Sequence, residues 1–323
     1  MLNFVLLSGF LTEIYYRFLD NFSASYTRKV LLEALDLLGK LWPYLVGGIL
    51  LSSLIKLYIS RDRMARIFSD KTASVSIIVA ALIGIVSPLG SYIIIPLSAA
   101  LFAIGVPLPP LIALMISSPL IDPNLFILTA GALGLELALV RTFSALLLGI
   151  TAGYFTQWII TRNSQWAVGL LRDNHGFTVE TYTSAVQQKT FRAFLKEAGK
   201  MTKYISKYFF LAILLAAMIK IFVNPNYIVR AFSSNNFMAV LLSTIAGVPL
   251  YSCGGAAIPV VQTMADLGMS KGAVLAFFIS GPVTKISNLV LMNAAFKVRF
   301  MVLYLAVGLA GALFLGIIYN MLF

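Results

Sequence analysis

The chain has 323 residues and a formal net charge of +12, with 60% hydrophobic and only 11% charged residues. Soluble globular domains carry about 25% charged residues, so a mean hydropathy of +0.93 excludes a water-soluble core. The surplus of Lys and Arg reads as loop charge on one side of a membrane rather than as a nucleic-acid surface.

Residues 1–38 are amphipathic, and their start, MLNFVLLSGFLTEIYYRFLDNF, is apolar but interrupted by Glu13 and Arg17, with neither a basic leader nor a convincing small-residue cleavage site. They read as an amphipathic or loosely inserted segment rather than a signal peptide. The first apolar block, 39–160, holds runs at 41–59, 72–86, 91–104, 108–120, 125–135 and 142–160. The runs are continuous rather than alternating, which points to helices and not to a membrane barrel. Residues 161–202 form the one extended polar segment. From Arg162 to Lys207 the chain carries eight Lys or Arg against Asp173, Glu180 and Glu197. This linker is expected to be cytoplasmic, with a basic amphipathic helix over 189–200 that lays Phe191, Phe194 and Leu195 on an apolar surface. A lipid-facing collar and a partner-binding segment are both open readings for it. The second apolar block is 203–323, with runs at 208–223, 237–250, 272–280, 289–296 and 300–319. The basic loop at 58–71 and the pair Lys297 and Arg299 are expected on the same side as the linker.

A shift of 163 residues aligns the two blocks without a gap. Pro96 falls on Pro259, Gly105 on Gly268, Ala113 on Ala276, Ser117 on Ser280 and Pro119 on Pro282. Paired proline-interrupted helices in two halves point to the binding site of a secondary transporter. Five crossings per block would invert the second copy and bring all three basic loops to one side. A re-entrant hairpin over 88–118 would leave four crossings and parallel copies. Charge favours inversion, giving an all-α polytopic protein of about ten transmembrane segments with broken or re-entrant helices.

Three stretches could carry chemistry. In SSPLIDP at 117–123, Pro119 and Pro123 remove two backbone donors. Asp122 stands beside them, with Ser118 on the preceding turn, as a coupling carboxylate or a paired structural one. In SGPVTKISN at 280–288, Gly281 and Pro282 break the equivalent helix, and Thr284, Lys285 and Asn288 follow. Symmetry suggests that Asp122 and Lys285 meet, either as a static pair or with substrate or proton competing for one partner. In YSCGG at 251–255, Ser252, Cys253, Gly254 and Gly255 enter a helix whose free N–H groups could hold an anion. Cys253 is the single cysteine, which excludes an intrachain disulfide, and it is a soft-ligand candidate or a packing residue. His175, the single histidine, lies in the polar linker. No phosphate loop, spaced metal motif or nucleophile elbow occurs, so no cofactor, metal site or catalytic residue is expected.

The run PLYSCGGAAIPVVQTMADLGMSKGAVLAFFISGPVT, with Pro259, Gly268, Gly272 and Ser280–Pro282, resembles the signature of the bacterial and archaeal predicted permeases of the ArsP/YraQ type. The first block matches more loosely through Pro88, Pro96, Gly105, Ser118, Pro119 and Pro123. The resemblance spans roughly 40–322 and implies an efflux permease in the cytoplasmic membrane of a prokaryote. Its characterised arsenic branch exports trivalent organoarsenicals with the help of cysteines, and Cys253 is the matching position. The paired cysteine of that pattern is missing here, and the asparagine usual after Ser-Gly-Pro-x-Thr is Lys285. A carboxylate or oxyanion substrate, or charge compensation of Asp122, suits that lysine as well as a metalloid does.

The reading is a secondary-active permease that exports a small solute or ion, a metalloid or an anion among the candidates, by alternating access at a site between two repeats. Its partners are the lipid bilayer, that solute and coupling protons, with no nucleic acid. A channel-like pore, a membrane enzyme and a lipid-handling scaffold are the alternatives.

Overall fold

The computed structural model describes residues 24–56, 73–87, 90–103, 105–163, 213–222, 237–250 and 254–322, with six isolated positions besides. The N-terminal segment up to residue 23, the basic loop after α1 and nearly all of the central linker lie outside the described residues, as do Ser252 and Cys253.

Every described element of length is a helix. In the first half these are α1 (Ala24–Lys56), α2 (Ala73–Val86), α3 (Gly90–Ala103), α4 (Leu108–Leu120), α5 (Pro123–Leu133) and α6 (Leu135–Arg162). In the second half they are α7 (Ile213–Phe222), α8 (Phe237–Leu250), α9 (Gly254–Asp266), α10 (Lys271–Thr284), α11 (Ile286–Ala295) and α12 (Val298–Leu322). From α2 to α6, each helix starts 163 or 164 residues before its counterpart among α8 to α12.

Three helical segments are long and apolar enough to cross a membrane by length and composition: Leu108–Leu133, which is α4 and α5 together, Leu135–Arg162 and Val298–Leu322. The hydropathy runs suggest about ten crossings, but α2, α3, α8 and α9 have only 13 or 14 residues. At ~1.5 Å per residue each is roughly 20 Å long, short of the ~30 Å hydrocarbon layer. The chain is therefore an all-α, multi-helix membrane protein with three long apolar spans among the described residues.

Small residues set how closely the helices approach, and the same approaches recur 163 residues apart. A Cβ on Gly153 of α6 would stand 2.5 Å from Ile77 Cγ2 and 3.2 Å from Pro109 O. A Cβ on Gly316 of α12 would stand 2.7 Å from Val240 Cγ1 and 2.8 Å from Gly272 O. Likewise Gly84 lies against Ser117, and Gly247 against Ser280. These contacts make α2 parallel to α4, and α4 antiparallel to α6; the second half repeats the arrangement in α8, α10 and α12.

Two turns share a further identity. Gly105 and Gly268 have φ of 93° and 102°, which a β-carbon disfavours. At the first turn the Val106 amide bonds Leu101 O and the Gly105 amide bonds Phe102 O, both at 3.0 Å. At the second, Met269 bonds Met264 O at 3.0 Å and Gly268 bonds Ala265 O at 2.9 Å. This is the Schellman closure of a helix C-terminus. The turn is short, so α3 ends close to the start of α4, level with the start of α2, and α9 ends likewise close to the start of α10.

The halves interlock. α5 packs on α9, α11 packs on α3, and α4, α6, α10 and α12 meet in the centre. Where α6 and α12 touch they run antiparallel: Tyr319 near the end of α12 donates a 2.8 Å hydrogen bond to Glu136 at the start of α6, and Gly311 lies against Leu148.

Candidate functional site

The two interrupted helices place most of the expected site residues. Ile121 and Asp122 are extended (φ −153° and −139°) and separate α4 from α5. Lys285 alone separates α10 from α11. Pro119, Gly281 and Pro282, expected at the breaks, lie inside α4 and α10. A proline weakens the ladder toward the residue four before it, so the helix opens near it rather than at it. Pro123 opens α5, where its missing N–H is an orphan anyway.

Asp122 caps α5: its Oδ1 accepts the Leu125 amide at 2.8 Å. This satisfies one of the free donors at a helix start. The carboxylate is half-buried, and the charge of Arg141 acts on it through space.

Arg141 was not legible as a site residue in the motifs, yet it organises the first break. It lies on α6, is 1% exposed, and is the bulkiest fully buried side chain described. Its Nε donates to Leu120 O at 3.1 Å, a carbonyl that lost its helical partner at the break. Its Nη1 donates to Thr129 Oγ1 at 2.9 Å, and Thr129 in turn donates to Leu125 O at 2.6 Å. The guanidinium lies 4.2 Å from the ring centroid of Phe278 on α10, a cation–π contact that reaches into the other half. A cation within a 28-residue apolar helix is the only sequence signal at this position, and it does not say what the side chain holds.

The second break solves the same backbone problem differently. Asn288, fully buried, donates from Nδ2 to Pro282 O at 3.0 Å. Thr284 Oγ1 donates to Ser280 O at 2.8 Å, so its hydroxyl proton is taken up within α10. Lys285 is half-buried at the junction. Gly254 and Gly255 begin α9, while the preceding Ser252 and Cys253 fall outside the described residues.

Several buried polar atoms have no hydrogen-bonding protein partner among the described residues: Ser98 Oγ, Ser118 Oγ, Asn124 Oδ1, Thr263 Oγ1 and Tyr304 OH. Each residue is 5% exposed or less. Buried polar groups are nearly always satisfied, so orphans mark where another polar species belongs. Ser118 and Asn124 flank the first break, and Ser98 and Thr263 lie on the short helices α3 and α9. No group of three or more His, Cys, Asp or Glu placed to hold a metal occurs among the described residues.

Broken apolar helices with charges at the breaks and orphan polar groups around them define a membrane permease. The chain belongs to the ArsP-type predicted-permease family, whose profile matches residues 29–321. It is 26% identical over 277 residues to UPF0718 protein YcgR of Bacillus subtilis, covering 84% of this chain and 91% of that protein. It is 24% identical over 261 residues to a Streptococcus mutans protein designated a candidate subunit of a two-component membrane permease complex, covering 80% of this chain and 84% of that protein. UPF0718 protein YraQ of Escherichia coli matches over 106 residues at 27% identity, a third of each chain. No solved structure matches. Family membership places the chain among permeases rather than enzymes.

Proposed function

We propose that the protein is a secondary-active permease that moves a small solute across the cytoplasmic membrane by alternating access between two inverted repeats. The observation that carries this reading is the set of orphan buried polar atoms on the interrupted helix α4–α5 and on the short helices α3 and α9. Non-helical backbone and unsatisfied polar groups are tolerated at membrane depth where they face protein or a wet cavity, and discontinuous helices in paired repeats are where transporters bind substrate.

The repeat reading is supported by the antiparallel course of α6 and α12, which occupy corresponding places in the two halves. In this reading each copy has one leading span, a pair of half-length helices (α2–α3 or α8–α9), a broken span (α4–α5 or α10–α11) and a closing span (α6 or α12). Three full crossings per copy invert the second as five would. Arg162 ends α6 beside the basic linker, so that face is cytoplasmic and Glu136 lies on the opposite one. The two breaks then sit on opposite sides of the mid-plane rather than in direct contact.

Asp122 and Lys285 are the charged groups of the site, Ser118 and Asn288 its polar lining, and Cys253 with Ser252 enters from the segment before α9. Export, rather than import, rests on the family resemblance. The test is reconstitution into liposomes with a panel of organoarsenicals, oxyanions and small carboxylates under an imposed pH gradient. A saturable flux with fixed proton stoichiometry, lost in Asp122→Asn or Lys285→Met, is expected. Unitary currents would instead make it a channel, and lipid turnover without flux would make it a lipid-handling protein.

A further inference from the structure

Two ion pairs join the halves at one face. Glu136, in the first turn of α6, accepts hydrogen bonds from Lys271 at the start of α10, at 2.9 Å and 3.2 Å, and from Tyr319 near the end of α12, at 2.8 Å. Glu136 belongs to the first half, and Lys271 and Tyr319 to the second. Glu33 of α1 pairs in the same way with Lys220 of α7, again one residue from each half. This second pair lies at the same level. Both of its charges act on Asp266, at the end of α9 and five residues before Lys271. The face is the one opposite the basic linker.

The other end of the bundle is built from different residues. The positions 163 residues from Glu136, Lys271 and Tyr319 hold Arg299, Leu108 and Thr156. A cation, a leucine and a threonine cannot repeat the ion pair, and Thr156 donates its hydroxyl to Ala152 O within α6 at 2.8 Å. The closure of α10 on α12 is one-sided as well. Asn320 accepts the Gly272 amide at 2.6 Å and donates to Ser270 Oγ at 3.2 Å. The counterparts are Gln157, Pro109 and Pro107. Proline offers neither an N–H nor a hydroxyl, and Gln157 Oε1 has no hydrogen-bonding protein partner among the described residues.

The strength of these pairs suits a contact that opens and closes. Both side chains of the Lys271–Glu136 pair are 52% exposed, so each keeps water when they part. An exposed pair shifts an equilibrium by about fivefold at most. That is too little to hold a fold together, yet it decides between two arrangements of comparable energy.

We propose that Glu136, Lys271 and Tyr319, together with Glu33 and Lys220, form a clasp that holds the two halves together at the face opposite the basic linker and releases when that face opens. The clasp rests on the alternating-access reading, and it assigns this structure to the state closed at that face.

The test is distance measurement by double electron–electron resonance between spin labels on the full-length protein in lipid nanodiscs, in a Cys253→Ser background. Leu135→Cys with Met321→Cys reports the clasp face, and Thr161→Cys with Val298→Cys reports the opposite one; all four positions are exposed. In dilute buffer the clasp-face pair should be mostly short. Glu136→Lys should raise its long-to-short ratio by about fivefold or more, and Glu136→Lys with Lys271→Glu should bring it back. Tyr319→Phe should act in the same direction as Glu136→Lys, but less. Molar salt should also raise the ratio with the clasp residues unchanged. A ratio that Glu136→Lys leaves where it was, or a charge swap that restores nothing, overturns the clasp. If Glu136→Lys does not fold, a ratio indifferent to salt overturns it instead. The second label pair tests the underlying reading separately. Shortening there as the clasp face opens supports alternating access, whereas opening of the clasp face with no change there retains the clasp and rejects alternating access.

Discussion

Leu148 of α6 touches Gly311 of α12, and the two positions are 163 residues apart. A residue that contacts its own counterpart lies on the axis relating two copies. In the inverted-repeat reading, Leu148 and Gly311 therefore mark the pseudo-two-fold axis. Arg141, seven residues from Leu148, stands roughly 10 Å from it at ~1.5 Å per residue.

Gly311→Ala forces its new methyl against the Leu148 side chain. Overpacking of this kind costs about 1–3 kcal/mol, partly offset by the roughly 0.5–1 kcal/mol that alanine gains over glycine in a helix. In a Leu148→Ala background the clash is gone, so the same substitution should turn neutral or stabilising. A double-mutant cycle by denaturant unfolding reads the change of sign; additive effects would mean that the two residues do not touch.

Gly272→Ala should be worse than Gly105→Ala. At Gly272 the added methyl overlaps the backbone oxygen of Gly316, and no side-chain rotation relieves that, so α10 and α12 must separate. At Gly105 nothing lies within 4 Å; the cost there is the positive φ, about 1–2 kcal/mol. Melting temperatures of the two variants should rank in that order.

Arg141→Leu leaves Leu120 O and Thr129 without their donor and strips Asp122 of its nearby positive charge. Losing a partner at a buried acceptor costs about 1–3 kcal/mol, and an uncompensated charge adds to that. Asp122→Asn in the same chain should recover part of the loss. Amide exchange across 120–126 should speed up in Arg141→Leu and return toward the native rate in the double variant.

At the end of α6 opposite the basic linker, Lys271 holds Glu136 at 2.9 Å, with both side chains 52% exposed. Exposed pairs contribute about 0–1 kcal/mol and are screened by salt. Lys271→Met should lower stability slightly in dilute buffer and not measurably in molar salt. An effect that survives high salt would point to packing of the lysine stem instead.

Asp266, an exposed residue at the end of α9, has its carboxyl pushed above the usual range by partial desolvation, opposed by the charges of Lys220 and Lys40. The folded protein thus holds this proton to higher pH than the unfolded chain does, so the stabilisation is complete below the unfolded value and is lost as pH rises through the folded one. Asp266→Asn should flatten the fall in melting temperature with rising pH across that window. An unchanged pH profile would rule this out.

The amino-acid sequence by itself determined the class, the 163-residue spacing at which prolines and small residues recur, and the location of the interrupted helices. These depend on local properties: apolar run length, proline without a donor and glycine at turns such as Gly105 and Gly268. It could not determine the number of crossings, because runs such as 73–87 and 89–104 are apolar whether each spans the layer or the two fold back as a hairpin. The return of α3 to the level of α2 is a matter of packing against α4.

Nor could the sequence single out Arg141 or Tyr304. An arginine near the start of a long apolar helix reads equally as a snorkelling end or a buried cap, and a tyrosine there reads as ordinary lining. Only the tertiary structure decided between them, by bringing Leu120, Thr129 and Phe278 around the guanidinium and by leaving the phenol without a protein acceptor among the described residues. Hydrogen-bond satisfaction depends on residues tens to hundreds of positions away, and no local pattern encodes it.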